Sequence, residues 1–101
     1  PGGYIPALSE TAAASEKYRL IASDTEMLRL HYARTLRAWY ANCMKHREAI
    51  VGMYDERFFR MWTFYLAGAA TVFEHGGMCN YQIQYVRSRH ALPITRDYLY
   101  A

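Results

Sequence analysis

Two stretches of helical apolar periodicity, set end to end with a short break between them, constrain this chain more than any other feature. Between 28 and 51, Tyr32, Leu36, Trp39, Tyr40, Cys43 and Ile50 recur at the three-or-four spacing of one helix face. Gly52 is expected to break that helix. Asp55 and Glu56 then place two acids in the first turn of the next one, where they oppose the positive end of the helix dipole. From there Phe58, Met61, Trp62, Tyr65, Leu66, Ala69, Val72 and Phe73 repeat the period, until Gly76 and Gly77 predict a left-handed stop near 75. So short a connection predicts an antiparallel hairpin of two long helices, over 28–51 and 55–75.

Two strand-like segments flank the hairpin. Residues 19–27 mix Leu20, Ile21 and Thr25 with polar neighbours, and no helical stripe can be drawn through them. Residues 79–87 alternate, with Tyr81, Ile83 and Tyr85 on one face and Gln82, Gln84 and Val86 on the other. An isolated strand pair is marginal in water, so these two are expected to complete a larger sheet. Ahead of them, 1–18 reads as an irregular lead-in broken by Gly2, Gly3 and Pro6, then an alanine-rich helix from Leu8 to Tyr18 that Ser9 would cap. The segment 88–101, broken by Pro93, reads as an extended tail. The whole is α+β, and its natural setting is expected to be the sheet of a bigger α/β protein.

Apolar residues at 52% against 21% charged describe a folding chain and exclude a disordered one. At 101 residues there is room for one thin core, to which a partner surface would add. No run of about 18 apolar residues is present to span a membrane, and the first residues lack the basic start and apolar stretch of a signal peptide. With no starting Met, the chain is expected to be a piece of something longer. Cys43 and Cys79 are expected to be free thiols in a reducing compartment. The net charge of +3 comes from ten Arg and two Lys spread along the chain, without the dense basic face of a nucleic-acid binder. Nucleic acid is not an expected partner, whereas an anionic lipid surface is compatible with the charge.

Particular strings carry a family resemblance: PGGYIPALSE at the start, HYARTLRAWYAN from His31, DERFFRMWTFYLAGAATVF from Asp55, and QIQYVRSRHALPITRDYL near the end. Together they resemble the C-terminal part of cyclopropane-fatty-acyl-phospholipid synthases, which are similar to the mycolic-acid cyclopropane synthases. The resemblance implies the C-terminal part of a Rossmann-like methyltransferase. It also implies methyl transfer from S-adenosylmethionine to the cis double bond of a phospholipid acyl chain. In such enzymes the alkene attacks the methyl group, and loss of a proton from the resulting cation closes a three-membered ring, with a bound bicarbonate as the base.

By that resemblance Tyr32, in the HYxxTL string, is the catalytic candidate: its phenolic OH would donate a hydrogen bond to the bicarbonate. Ile5, Leu36, Tyr65 and Ala69 fall where the family's acyl tunnel is lined. Ala69 stands where relatives often have Cys, which puts tunnel shape and substrate preference in doubt. No glycine-rich turn follows a strand, so the S-adenosylmethionine site is expected in an N-terminal part of the same protein, and this segment alone is expected to be inactive. The implied location is cytoplasmic, peripheral at the inner membrane surface.

Each assignment has a plainer rival. On spacing alone Tyr32, like Phe58, Met61, Trp62, Tyr65 and Phe73, is a packing aromatic or core residue. His75 with Cys79, and Cys43 with His46, hint at zinc. Four ligands at recognised spacings are lacking, however, and the glycine pair separates His75 from Cys79, so no metal is expected. Arg29, Arg34, Arg37, Arg47, Arg57 and Arg60 read as solvated helix faces, with Glu56 and Arg60 as an i,i+4 pair. Some of them would meet lipid head groups. Two further readings stay open: a related enzyme giving a branched or methylene product, and a non-enzymatic helical module that associates with copies of itself.

Overall fold

Alanine brings no side-chain entropy cost into a helix, and the run containing Ala12, Ala13 and Ala14 folds as α1, Leu8–Lys17. The computed structural model describes residues 2–101 and divides into two units, one of Pro1–Glu26 with Ile83–Ala101 and the other of Met27–Gln82.

In the first unit Ser9 does not cap α1. Ala7 is the N-cap, and the Glu10 carboxylate turns back to accept the Ala7 N–H at 2.8 Å and the Tyr4 hydroxyl. Those hydrogen bonds, Tyr4 first, hold the Glu10 carboxyl below its usual range, and the same contact raises the Tyr4 phenol. At the other end, Leu20 N donates to Ser15 O and Arg19 takes a left-handed φ of 54°. This is a Schellman-type closure with arginine in the place glycine usually fills. The closure occupies 18–20, so β1 spans Ile21–Met27 and does not begin at 19.

Strand β1 pairs with β2, Tyr81–Val86, in an antiparallel two-stranded sheet. The Ser23 hydroxyl donates across it to Gln84 O at 3.0 Å. The segment after β2 is not a free tail. It ends in a 3₁₀ turn, Arg96–Leu99, in which the Arg96 guanidinium grips both oxygens of Asp24 at 2.6 and 3.1 Å. Beside it the Tyr98 hydroxyl donates to Gln84 Oε1 at 2.6 Å.

The second unit is helical, and the long helix expected over 28–51 is two. Residues 28–30 form a turn with Arg29 at φ 36°, and α2 runs His31–Lys45. His46 then leaves helical geometry (φ −108°, ψ 24°). Its N–H is shared between Asn42 O and Cys43 O, and its ring Nδ1 lies 2.9 Å from the same Asn42 oxygen. A side chain competing for a ladder acceptor interrupts the ladder. Helix α3, Arg47–Met53, passes through Gly52, so the glycine is not the break; the chain turns at Tyr54.

Helix α4 spans Glu56–His75, with Asp55 as N-cap accepting from Phe58 N at 2.6 Å. Glu56 pairs with Arg47 on α3 at 2.6 Å, and not with Arg60. Gly76 ends α4 in an extended conformation (φ −96°, ψ −165°), where a left-handed one was expected. Its importance is steric: a Cβ there would sit 2.6 Å from Val72 O.

Helices α2 and α4 are antiparallel: Tyr32 and Arg37, early in α2, meet Phe73 and Glu74, late in α4. Leu36, Leu66 and Ala70 form the centre of the core, with Tyr32, Cys43, Trp62, Ala69 and Phe73 packed around them. The buried line of α4 is Phe59, Thr63, Leu66 and Ala70. Met61 and Tyr65, expected among the core residues, are exposed, as is Val72 of the same periodic set. Apolar side chains surround most of α4, so its periodicity did not distinguish the inward face.

Candidate active-site face

The start of α2 has no side-chain cap and no acid in its first turn. The partial positive charge of its first amides is left without a local counter-charge. Tyr32 is the second residue of that helix. It is half-buried, with its ring edge-on to Phe73 (centroids 4.9 Å apart, planes at 73°) and to Trp39 (6.0 Å, 83°). Such edge contacts fix a ring by quadrupole attraction. The Tyr32 hydroxyl makes no hydrogen bond to another of the described residues, and a phenol can donate one to a ligand.

Below Tyr32 the wall is apolar. Leu36 is 2% exposed and Ala69 half-buried, both within the cluster of Leu66 and Ala70. A cleft of about 380 Å³ is lined by Arg37, Tyr40, Leu66, Ala67 and Ala70. Arg37 is tied to Glu74 by two short hydrogen bonds, at 2.6 and 2.5 Å. That bonding raises Arg37 and holds the Glu74 carboxyl below its usual range, with burial pushing the other way for both. His75 stands 3.7 Å from the same carboxylate.

The structure thus gathers Tyr32, Leu36 and Ala69 around one cluster. Tyr65 is on α4 but faces solvent, stacked on Trp62 at 5.3 Å in a run of rings that continues through Phe58 to Tyr54. Ile5 belongs to the first unit and is 73% exposed. Sequence reasoning missed Phe59, Thr63 and Ala70 on the inner line of α4 and Arg37 as a tethered residue. The i+37 separation of Arg37 from Glu74 left no local signal for that pair.

For an oxyanion such as bicarbonate, Tyr32 fits as one donor. For S-adenosylmethionine the residues do not fit: β1 leads into the glycine-free turn 28–30, and β2 into Arg87 and Ser88. Among the described residues no group of three His, Cys, Asp or Glu could hold a metal ion, and both cysteines are free. No helix among them is long and apolar enough to cross a membrane.

Fold and site together define a segment of two antiparallel helices and a strand pair that presents a positioned phenol over an apolar wall. The chain belongs to the mycolic acid cyclopropane synthetase family, whose model matches residues 1–83. It is 38% identical over 99% of its length to a probable fatty acid methyltransferase of Pseudomonas putida, covering 26% of that protein. It is 35% identical over 86% of its length to a tuberculostearic acid methyltransferase of Mycobacterium tuberculosis, covering 21% of it. It is 28% identical over 75% of its length to cyclopropane mycolic acid synthase 3 of the same organism, covering 26% of it. The chain spans about a quarter of the length of these relatives.

Proposed function

We propose that this chain is the C-terminal segment of an S-adenosylmethionine-dependent methyltransferase acting on the cis double bond of a phospholipid acyl chain, with a cyclopropane as product. The observation that carries the reading is Tyr32, a phenol whose ring is fixed edge-on to Phe73 and Trp39 at an uncapped helix start. S-adenosylmethionine, held by an N-terminal part of a longer protein, supplies the methyl group. Tyr32 would hold a bicarbonate by donating a hydrogen bond to it, the first turn of α2 would favour its negative charge, and the bound anion would supply a base. Ala69, half-buried, would form part of the acyl wall, with Leu36 packed in the core behind it. In this reading the enzyme is cytoplasmic and peripheral at the inner membrane surface. Strand β1 is exposed along nearly all its length, which supports a larger sheet in the longer protein.

In that longer enzyme, Tyr32→Phe is expected to slow methyl incorporation into unsaturated phospholipid by on the order of 10² to 10³, the usual loss for one oxyanion donor. An unchanged rate would remove Tyr32 from the site.

A second reading draws support from the names of two relatives, at 38% and 35% identity, as methyltransferases and not cyclopropane synthases. In it the proton leaves from the transferred carbon and the product is a methylene group, which becomes a methyl branch only if a separate hydride donor reduces it. Proton NMR of the extracted lipid separates the two: upfield ring protons mark the cyclopropane, whereas a terminal =CH2 pair, absent from the cis-alkene substrate, marks the methylene product and a new methyl doublet the branched one.

A further inference from the structure

Side chains on a helix lean back over the turn before them, and Tyr32, the second residue of α2, has no complete helical turn ahead of it to lean on. Its ring is held instead by two other rings. Phe73 on α4 meets it edge-on at 4.9 Å with the planes at 73°, and Trp39, further along α2, at 6.0 Å and 83°. Perpendicular contacts of this kind set a positive ring edge against a negative ring face, so they fix the tilt of a ring as well as its place. The tilt matters because the hydroxyl sits at the far end of the ring, where a small swing about the side-chain bonds becomes a large displacement of the oxygen.

Phe73 is itself anchored on both sides. Before it, Val72 O accepts Gly76 N at 2.9 Å and closes the last turn of α4. After it, Glu74 takes two hydrogen bonds from the Arg37 guanidinium, at 2.6 and 2.5 Å, and Arg37 belongs to α2, as Tyr32 does. The end of α4 is thereby tied to the start of α2 one residue away from the ring contact. Phe73 carries no polar side-chain atom, so any effect it has on an anion passes through Tyr32.

We infer that Phe73 and Trp39 are positioning residues: they hold the Tyr32 phenol at a tilt from which its hydroxyl donates to an oxyanion at the start of α2. The inference rests on the proposed function and adds to it what aims the donor. An edge contact of this kind biases a two-orientation equilibrium by about threefold to tenfold. A catalytic group displaced by about 1 Å loses much of its effect.

The test uses the longer enzyme. Phe73→Leu keeps apolar volume and removes the ring, and it is expected to lower kcat by on the order of tenfold with the KM for lipid unchanged. Trp39→Leu, at a position 46% exposed where the fold tolerates the change, is expected to act in the same direction by about threefold. Phe73→Tyr, which keeps a ring edge, retains the rate. In a Tyr32→Phe background neither leucine variant slows the enzyme further, since no hydroxyl is left to aim. A second readout needs no turnover. The NMR line of isotopically labelled bicarbonate, broadened by the wild-type enzyme, is expected to narrow with Phe73→Leu and with Tyr32→Phe alike. Phe58→Leu removes another half-buried ring from the far end of α4 and leaves both readouts unchanged. Losses that add in the Tyr32→Phe background, a raised lipid KM with kcat intact, bicarbonate broadening that survives Phe73→Leu, or equal losses with Phe58→Leu overturn the inference while the proposed function stands. Wild-type turnover by Tyr32→Phe overturns the proposed function, and the inference with it.

Discussion

Leu66 has no solvent exposure and Leu36 only 2%, and they meet where α2 crosses α4. Leu66→Ala leaves a cavity that the two helices cannot close, so a loss of about 2–5 kcal/mol is expected, read as a lower midpoint in urea or heat. The Arg37–Glu74 pair acts at the same crossing in a different way. Its carboxyl is held below the usual range in the folded state, so its stabilisation is complete above the ordinary carboxylate pKa and is lost as pH falls through the depressed value. Thermal melts from neutral to acid pH should therefore show falling stability, with Glu74→Gln less stable at neutral pH and less sensitive to acid. Glu10, depressed in the same direction, leaves part of the slope in place. Salt should shrink the difference, because both partners of the pair reach solvent. Leu36 was legible as a packing position from periodicity, whereas Ala33 and Thr63 were not: a small or polar side chain carries no signal until its neighbours are known.

At the scale of elements, the existence of the helices and strands was legible and their ends were less so. Asp55, an acid ahead of an apolar stripe, marked the start of α4 because capping is local chemistry. The break at His46 was hidden, since it depends on a ring reaching back to Asn42 O and not on a breaker residue. The closing turn of α1 was hidden for a related reason, with Arg19 occupying a left-handed position that sequence rules assign to glycine. Gly76 was recognised as a stop for the wrong physical reason. It is needed for close approach to Val72 O and not for a positive φ, so Gly76→Ala should force the last turn of α4 to open. Circular dichroism is expected to show lost helicity and a lower melting temperature for that variant. A wild-type melt would show that the end of α4 yields without cost.

Across the whole molecule, the strings that carried the resemblance located Tyr32, Leu36 and Ala69 on one cluster, while Ile5 fell in the other unit and Tyr65 turned outward. Helical spacing alone placed Tyr65 with Ala69, and one residue of phase on an apolar helix separates inside from outside. The last dozen residues were unreadable because their order comes from distant partners, Asp24 and Gln84, across 72 and 14 positions of chain. One backbone contact described by neither pattern nor motif has its own meaning. Leu28 N donates to Asn80 O at 2.8 Å, so the helical unit begins and ends one hydrogen bond apart. A piece of chain closed at its neck in this way is exchangeable. Helices between 31 and 75 can lengthen, shorten or be replaced while the strands on either side keep their register, because loop-closure entropy rises only slowly with the length enclosed.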